Sequence, residues 1–582
     1  MSQSTTAPPR EGTAHSTSSF AKSLFLGEVH EDLVLPFPYP SPAEAEKIKR
    51  INRDLKAFTD DYDELGTEDA RWVSEDDIAR LGEIGALGLY VPEKYGGQGL
   101  SQTGYARVFE TIAHIDPTLS VVLGVHQSIG YKGIALFGTD EQKERWLPDL
   151  ATGKKLAAFA LTEESAGSDA WGIESRAVLQ ADGSYRLSGK KRYIGNGSRA
   201  DVLTTFARVE INGKDRHIAL LVEKGMKGFE VGDRYDTMGL RANDLRQLTF
   251  NEVRIPPENV LGEPGDGFRI AMAILNNGRI GLGTGSVGGS KLLLDMTIEH
   301  VSERRQFGAP LADLELVQEK IGWMVANLFG LESMCYLTTG LVDAGVEDYS
   351  IESAVCKIAG TEFLWYQANR ALQLAGGAGY MRGNRYEKIL RDIRIFPIFE
   401  GANDVLRSYV ALTGMKPLGE KLSGLGGIGL GDPIRSIGVL ADYVGGRIRG
   451  GERLTHAHPE LKPLADSVGD QVGHLRSTCE KLLREHRKAI IHQGLQHRRI
   501  SDAVAAIFAQ VAVISRVTAL FGEQGVEASG QEMLIAKTYC SSAASRTTGL
   551  LNSVERNSDA TMRSIARLAY KRGSYGYELA KD

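Results

Sequence analysis

Hydrophobic positions repeat with two different periods along the chain, and the change of period divides it into regions. From about residue 44 to 150 the apolar spacing is mostly helical, as in Ile78-x-x-Leu81-x-x-Ile84, with breaks at Pro92 and Gly96-Gly97. From about 155 to 260 short alternating segments rich in β-branched and aromatic residues predict strands. Helical periodicity returns from 268 to 412. The pattern therefore predicts helices, then a sheet, then helices.

The middle region contains a predicted hairpin. Asp182-Gly183 separates two short apolar segments and favours the tight turn that joins antiparallel strands. The strand candidates are residues 177–179, 185–187, 202–208, 218–222 and 248–253.

The two ends of the chain differ from its centre. Residues 1–19 are rich in Ser, Thr and Pro and predict a disordered tail. Residues 416–432 predict a Gly-rich linker, and a further helical region is predicted from 463 to 575. The pattern predicts these domains: a tail at 1–19, a helical domain at 20–154, a β domain at 155–265, a helical bundle at 266–415, and a linker with a helical extension at 416–582.

Residues 434–448 allow two interpretations. Ile434, Ile437, Val444 and Ile448 can share one helical face with arginines among them, as in a helix that lies on an anionic membrane. The alternative is a helix docked on its own protein, which the glycines in this segment favour slightly.

Composition narrows the class of protein. With 582 residues the chain is too long for one domain, and its 24% charged and 42% hydrophobic content is that of a soluble globular protein. A net charge of −6 argues against nucleic acid as a partner. The four cysteines fit no metal-ligand spacing. No apolar run reaches the length of a membrane span and no secretory signal is evident, so a bacterial cytoplasmic location is the simpler expectation.

One carboxylate, Glu400, stands in an otherwise apolar run at residues 395–404. Burial among large apolar side chains raises the pKa of a carboxyl group toward the range of a general base, and Gly401 leaves room beside it. The alternative is a carboxylate at a helix entry, with Asn403 or Asp404 capping a helix that begins at Val405.

Two glycine patterns satisfy the dinucleotide fingerprint by letter, at residues 283–288 and 424–429. The fingerprint works only between a strand and a helix, where backbone amides can meet a pyrophosphate. The first pattern follows a predicted helix and the second lies in the predicted linker. We therefore interpret the first as small residues at a helix contact.

Five segments occur in the order and spacing of the acyl-CoA dehydrogenases, which the chain resembles: residues 159–170, 189–197, 304–308, 373–380 and 395–404. The resemblance is greatest to the very-long-chain subgroup, since it includes residues 22–25, 36–40 and 126–130 and extends into the C-terminal region. It implies a helical bundle, a small β-barrel, a second helical bundle and an extra C-terminal helical domain.

The resemblance also implies FAD as cofactor and assigns residues to it. Arginines bind phosphate oxygens and paired glycines allow close backbone approach. The family's cofactor residues correspond here to Phe159, Leu161, Thr162, Ser168, Tyr193, Ile194, Gly195, Arg304, Gln306, Phe307, Gln373, Gly376, Gly377, Ala402 and Asp404. The groups around Arg304 and Gly376 match residues that reach the FAD of a neighbouring subunit, so a homodimer is expected.

The implied reaction is α,β-dehydrogenation of a long or very-long-chain acyl-CoA, with electrons passed to electron-transfer flavoprotein. Glu400 is the implied base, while Ser168, Arg279 and Gly401 are the implied substrate contacts. Gly278 stands where some relatives carry the base, and it cannot serve. Gly130 and Gly133 match small residues that deepen the acyl tunnel. In a eukaryote the expected location is mitochondrial, and peripheral membrane contact is a further expectation.

Several residues depart from the family pattern at the flavin. Gly195 and Ala402 replace hydroxyl residues, Glu164 replaces a proline, and Pro397 interrupts the approach to Glu400. Each lost hydrogen bond is worth about 0.5–1.5 kcal/mol, so the flavin affinity or potential is expected to change without loss of binding. Alternative functions are an acyl carrier protein-dependent dehydrogenase, an acyl-CoA oxidase, or a non-catalytic assembly protein on the same fold.

Overall fold

The computed structural model describes residues 19–426 and 451–577. The predicted tail, apart from Ser19, and the segment 434–448 with its predicted membrane face therefore lie outside the described residues. The described residues form two compact units. The larger takes its residues from His30–Leu406 and Ala512–Tyr539, and the smaller from Ala21–Val29, Arg407–Val511 and Cys540–Asp582.

The N-terminal helices are capped by side chains that the sequence supplies. Ser41, Ser74 and Ser101 each accept a hydrogen bond from a first-turn amide, and Thr139 forms a capping box with Gln142. The helices are α1 (Phe20–Phe25), α2 (Glu31–Val34), α3 (Pro42–Thr59), α4 (Glu64–Ala70), α5 (Glu75–Ile84), α6 (Gln102–Ile115), α7 (Pro117–Gly124), α8 (Lys132–Phe137) and α9 (Asp140–Ala151). A π-helical turn, Val125–Gly130, joins α7 to α8.

A mixed sheet follows, as the alternating pattern predicts. Its strands are β1 (Ala157–Ala160), β2 (Arg176–Leu179), β3 (Tyr185–Ile194), β4 (Val202–Ile211), β5 (Lys214–Glu223), β6 (Phe229–Arg234), β7 (Arg246–Ile255) and β8 (Val260–Gly265). The order is β6-β7-β3-β2-β4-β5-β8, with β1 parallel to β4. The hairpin of β2 and β3 around Asp182-Gly183 is confirmed. Within the described residues the sheet has two ends, β6 and β8, so the closed barrel stays a prediction.

The second helical region consists of α10 (Gly267–Glu303), α11 (Glu315–Asp343), α12 (Ser350–Tyr380), α13 (Arg385–Ile393) and α14 (Asn403–Gly426), with a short ribbon of β9 (Arg305–Gln306) and β10 (Ala309–Pro310) after α10. The glycine pattern at 283–288 lies inside α10, and a methyl group added at Gly283 would stand 3.2 Å from Cys356 Cβ. These small residues therefore serve a close helix contact and not a nucleotide.

Two expectations for the C-terminal part are wrong. The linker does not begin at 416, because α14 continues to Gly426 with Leu418 buried in its course. An apolar run of membrane-spanning length does exist, in α16 (Gly494–Gln524), although 72% of its most apolar window is buried as in a core helix. The other helices there are α15 (Lys462–His486), α17 (Gly530–Asn552) and α18 (Asp559–Arg572).

Candidate active site

The loop between α13 and α14 carries Glu400 in an unusual backbone conformation. Glu400 has φ of 57° and Gly401 has φ of 90°, both in the left-handed region that a non-glycine residue seldom occupies. Phe396 stacks on Phe399 within the same loop, with ring centroids 5.4 Å apart. Strain of this kind persists where the surrounding structure holds it and is frequent at functional sites.

Two buried cations hold this loop through its backbone. Lys357 Nζ donates to Gly401 O at 2.8 Å and to Asn403 Oδ1 at 2.8 Å. Arg279 Nε donates to Glu400 O at 3.3 Å. Asn403 Nδ2 donates in turn to Thr361 Oγ1 at 3.1 Å, and α14 begins at Asn403 itself. The alternative interpretation, in which Asn403 or Asp404 caps a helix from Val405, is therefore wrong, because both residues already lie within α14.

The carboxyl group of Glu400 lies apart from these cations. Its Oε2 is buried and has no hydrogen-bond partner among the described residues, although the residue as a whole is only half-buried. Burial raises the pKa of Glu400 to about 7, against the opposing effect of the charges on Arg279 and Lys357. At neutral pH a carboxylate with this pKa is ionised about half of the time and is a far stronger base than a hydrated Glu.

Glu400 stands at one end of an apolar cleft of about 450 Å³, counted out to its open mouth. A methyl group added at Gly278 would lie 2.9 Å from Glu400 Oε2, so the absence of a side chain at Gly278 makes room for the carboxylate. The other lining residues are Phe109, Ser120, Val121, Gly124, Val125, Ser128, Ile129, Gly281, Leu282, Gly285, Phe396 and Phe399. Glu400 is the only ionisable residue among the described residues that line the cleft, and the rest of the lining favours an apolar group.

The ring of Phe109 forms a boundary of this cleft at a distance from Glu400. Its ring lies 3.2 Å from the position that a Cβ would take at either Gly124 or Gly285. Gly278 and Gly285 are seven residues apart on α10, which corresponds to about 10 Å along the helix axis. The distance from Glu400 to Phe109 therefore sets how much of a straight chain the cleft holds.

Gly130 and Gly133 are not among the residues that line this cleft, so their role in deepening an acyl tunnel stays a prediction. A Cβ at Gly130 would meet Val125 O and Ala157, and one at Gly133 would meet Ile274 and Leu261, so both glycines serve packing outside the cleft lining. Val125, Ser128 and Ile129 of the π-helical turn do line the cleft. Gly124, before the turn, lines the cleft as well.

The predicted cofactor segments from the sheet meet each other. Arg192 N–H donates to Thr162 O at 2.8 Å, which joins the chain at Tyr193 to the end of β1. Phe159, Leu161 and Ile194 are buried, Thr162 and Gly195 are half-buried, and Tyr193 and Ser168 are exposed. Glu163 holds the loop that carries Ser168, since it accepts from Lys191 Nζ at 2.7 Å and from Ser175 N–H at 3.1 Å.

The remaining cofactor candidates lie on open surface. Phe307 is 93% exposed, and Arg304, Gln306, Gln373 and Asp404 are also exposed, while Ala402 is half-buried beside Gly401. Gly376 has φ of 62° and interrupts α12, and neither it nor Gly377 would place a Cβ within 4 Å of another group. Because no side chain of the described residues covers the backbone of these two glycines, a dinucleotide phosphate can approach it closely, so these residues fit FAD.

Two residues of the site were missed by sequence reasoning. Lys357 is a cation within the apolar stretch 354–360 of α12, and that contrast is a signal which could have identified it. Phe109 carries no such signal, because an aromatic residue at helical spacing is typical of any core.

Sequence profiles of known families match most of the chain. The N-terminal, middle and C-terminal domains of acyl-CoA dehydrogenases match residues 49–154, 158–253 and 265–414, and the profile described as "ACAD9/ACADV, C-terminal domain" matches 459–575.

Individual proteins agree with these profiles. The chain is 38% identical over 548 residues to the mitochondrial very long-chain specific acyl-CoA dehydrogenase of Macaca fascicularis, covering 91% of this chain and 83% of that protein. It is 33% identical to a probable acyl-CoA dehydrogenase of Bacillus subtilis (strain 168), covering 80% and 79%. An acyl-CoA dehydrogenase from Bacillus anthracis, solved in complex with FAD, superposes with a TM-score of 0.79 at 29% identity and covers 91% of each chain.

Proposed function

The chain belongs to the acyl-CoA dehydrogenase family, and from that premise we propose that it oxidises long-chain acyl-CoA thioesters between Cα and Cβ with Glu400 as the base. The observation that carries the assignment of Glu400 is its buried carboxyl oxygen without a partner, at the end of an apolar cleft. The relatives that are specific for very long chains support the substrate class.

Glu400 removes a proton from Cα of the substrate, and its raised pKa suits it to that weakly acidic group. FAD, when bound, supplies the acceptor for the hydride that leaves Cβ. We propose that the Glu400 backbone N–H donates to the thioester oxygen, where negative charge develops as the proton leaves. Arg279 and Lys357 keep that amide and the carboxylate in position by holding Glu400 O and Gly401 O.

FAD binding in this proposal uses three groups of residues. Phe159, Leu161, Thr162, Tyr193, Ile194 and Gly195 lie at the ends of β1 and β3 or directly after them, Ser168 serves cofactor and thioester together, and Ala402 and Asp404 follow the base. The exposed groups Arg304, Gln306 and Phe307, and Gln373, Gly376 and Gly377, serve the cofactor of a second copy. That arrangement requires a homodimer.

Phe109 governs the chain length in this proposal. A straight acyl chain longer than the stretch between Gly278 and Gly285 meets the ring of Phe109, which lies between Gly124 and Gly285. A long-chain substrate therefore needs Phe109 to turn aside. Phe109→Ala should raise kcat/KM for longer acyl-CoAs relative to shorter ones, and an unchanged length profile would remove Phe109 from this role.

We propose electron-transfer flavoprotein as the electron acceptor, in the cytoplasm of a bacterium or in a mitochondrion. Membrane contact through residues 434–448 stays a prediction. An oxygen electrode separates the acceptors, since a dehydrogenase consumes little oxygen during turnover whereas an oxidase consumes one O₂ for each substrate.

Anaerobic mixing of the purified protein with a long-chain acyl-CoA tests the proposal directly. The flavin absorbance near 450 nm should bleach rapidly with formation of the 2-enoyl-CoA. A colourless protein that added FAD does not reconstitute, or a yellow one that no acyl-CoA bleaches, would contradict it.

A further inference from the structure

Three aromatic side chains from separate elements form a cluster at the surface of the larger unit. The Trp171 ring lies 4.5 Å from the His217 ring and 4.9 Å from the Phe268 ring between centroids, and the last two are 5.7 Å apart. Trp171 remains 51% exposed, although it is the largest of the three and the most costly to leave in water. We name this group the aromatic shelf.

The aromatic shelf is rigid. His217 Nε2 donates to Trp171 O at 3.1 Å, and His217 is 4% exposed. Gly267, at the start of α10, packs so closely on β5 that an added Cβ would stand 2.6 Å from Ile218 N. Burial lowers the pKa of His217, which keeps the imidazole neutral beneath the indole. A fixed, uncharged support of this kind presents the free part of Trp171 in one orientation.

The position of the shelf relative to Glu400 follows from α10. Phe268 and Gly278 are ten residues apart on this helix, or about 15 Å along its axis. Ala170, next to Trp171, packs against the buried cluster that contains Ile129 and Leu275, and Ile129 also lines the cleft. Measured along α10, the shelf therefore stands about 15 Å from Gly278, which adjoins the Glu400 carboxyl group. Trp171 follows Ser168 by three residues. A pantetheine arm is long enough to span a separation of this order.

The exposed indole of Trp171 is suited to bind a purine. An indole with a free face binds a planar base by stacking, and any base with a π face can be held in this way without hydrogen-bond readout. The acyl-CoA substrate carries an adenine at the far end of its pantetheine arm, whereas a thioester on a carrier protein has no nucleotide.

We infer that Trp171, supported by His217 and Phe268, stacks the adenine of the CoA substrate on its exposed indole. The inference rests on the proposed acyl-CoA function and deepens it, because it gives the enzyme a means to prefer CoA over a carrier protein.

Two thioesters of one acyl group, palmitoyl-CoA and palmitoyl-pantetheine, test the shelf in steady-state assays. Trp171→Ala should raise KM for palmitoyl-CoA by about 5- to 30-fold with little change in kcat, since a stacked base is lost. It should leave KM for palmitoyl-pantetheine within about twofold, and Trp171→Phe should fall between. Val178→Ala, at another exposed apolar residue of the sheet, is the matched control and should change neither KM.

Nucleotide binding gives a second readout that needs no turnover. Adenosine 3′,5′-bisphosphate should quench the tryptophan fluorescence of the wild type in a saturable manner, and Trp171→Ala should abolish that change. Equal effects of Trp171→Ala on both thioesters, or no saturable quenching in the wild type, would overturn the inference. Failure of the proposed function is distinct, since the wild type would then turn over neither thioester.

Discussion

Two glutamates of the larger unit, Glu332 on α11 and Glu400, each lie near lysine and arginine side chains, and yet their pKa values shift in opposite directions. Glu332 Oε1 accepts from Lys291 Nζ at 2.6 Å and its Oε2 accepts from Arg516 Nη1 at 2.7 Å. Burial would raise the pKa of Glu332, but Arg516 and Lys291 outweigh it and lower the pKa to about 2. At Glu400 burial prevails and the pKa rises to about 7.

The difference lies in which atoms the cations contact. Lys291 and Arg516 bind the carboxylate itself and lower the pKa of Glu332, so its oxygens are used for ion pairs and not for proton transfer. Lys357 and Arg279 donate to backbone carbonyls of the Glu400 loop and leave Oε2 without a partner among the described residues. A buried carboxylate becomes a base when the nearby cations hold its backbone and not its oxygens.

Glu400→Gln should cause the largest change in activity. Glutamine has nearly the same shape and keeps the loop bonded to Lys357 and Arg279, but it cannot accept the proton. A positioned base contributes on the order of 100- to 10,000-fold, so kcat should fall by that factor. Flavin content and acyl-CoA affinity serve as controls and should be retained. More than about a tenth of the wild-type kcat would identify another residue as the base.

Glu332→Gln should have the opposite effect to Glu400→Gln, since the protein should lose stability and keep its catalytic activity. The substitution removes the carboxylate that Arg516 contacts and leaves Lys291 with Glu110 alone, and breaking a buried ion pair in this way costs about 3–5 kcal/mol in the free energy of unfolding. Urea unfolding measures this cost, while kcat per folded molecule should stay near that of the wild type. A stable Glu332→Gln protein with impaired kcat would break the comparison.

Lys357→Met tests the role of the cation by itself, because it removes a positive charge near Glu400 and leaves Glu400 unchanged. Gly401 O and Asn403 Oδ1 lose a charged donor, so the loop is less well held and kcat/KM at pH 7 should fall about 5- to 100-fold. Removal of the positive charge also raises the pKa of Glu400 further. The midpoint of the pH–kcat/KM profile should therefore move to higher pH, and an unmoved midpoint would reduce Lys357 to a packing role.

The sequence alone predicts those features that depend on residues close together in the chain. The hairpin at Asp182-Gly183, the small residues of α10 and the isolated carboxylate at Glu400 all follow from short-range patterns. Lys357 could not be placed, because its bond to Gly401 joins residues 44 positions apart. The π-helical turn at Val125–Gly130, three residues of which line the cleft, could not be predicted either, because no periodicity reveals it.

The pH dependence of the wild type should give the smallest effect, about tenfold for each pH unit below the midpoint. Only ionised Glu400 can accept the proton, and its pKa is about 7. The profile of kcat/KM should rise with unit slope through acidic pH and level off above about 7, since this parameter reports groups of the free enzyme. Glu332, with a pKa of about 2, should stay ionised over the same range and add no second inflection. A midpoint near the ordinary carboxyl value would mean that Glu400 is solvated like a surface residue, and the distinction between the two glutamates would then fail.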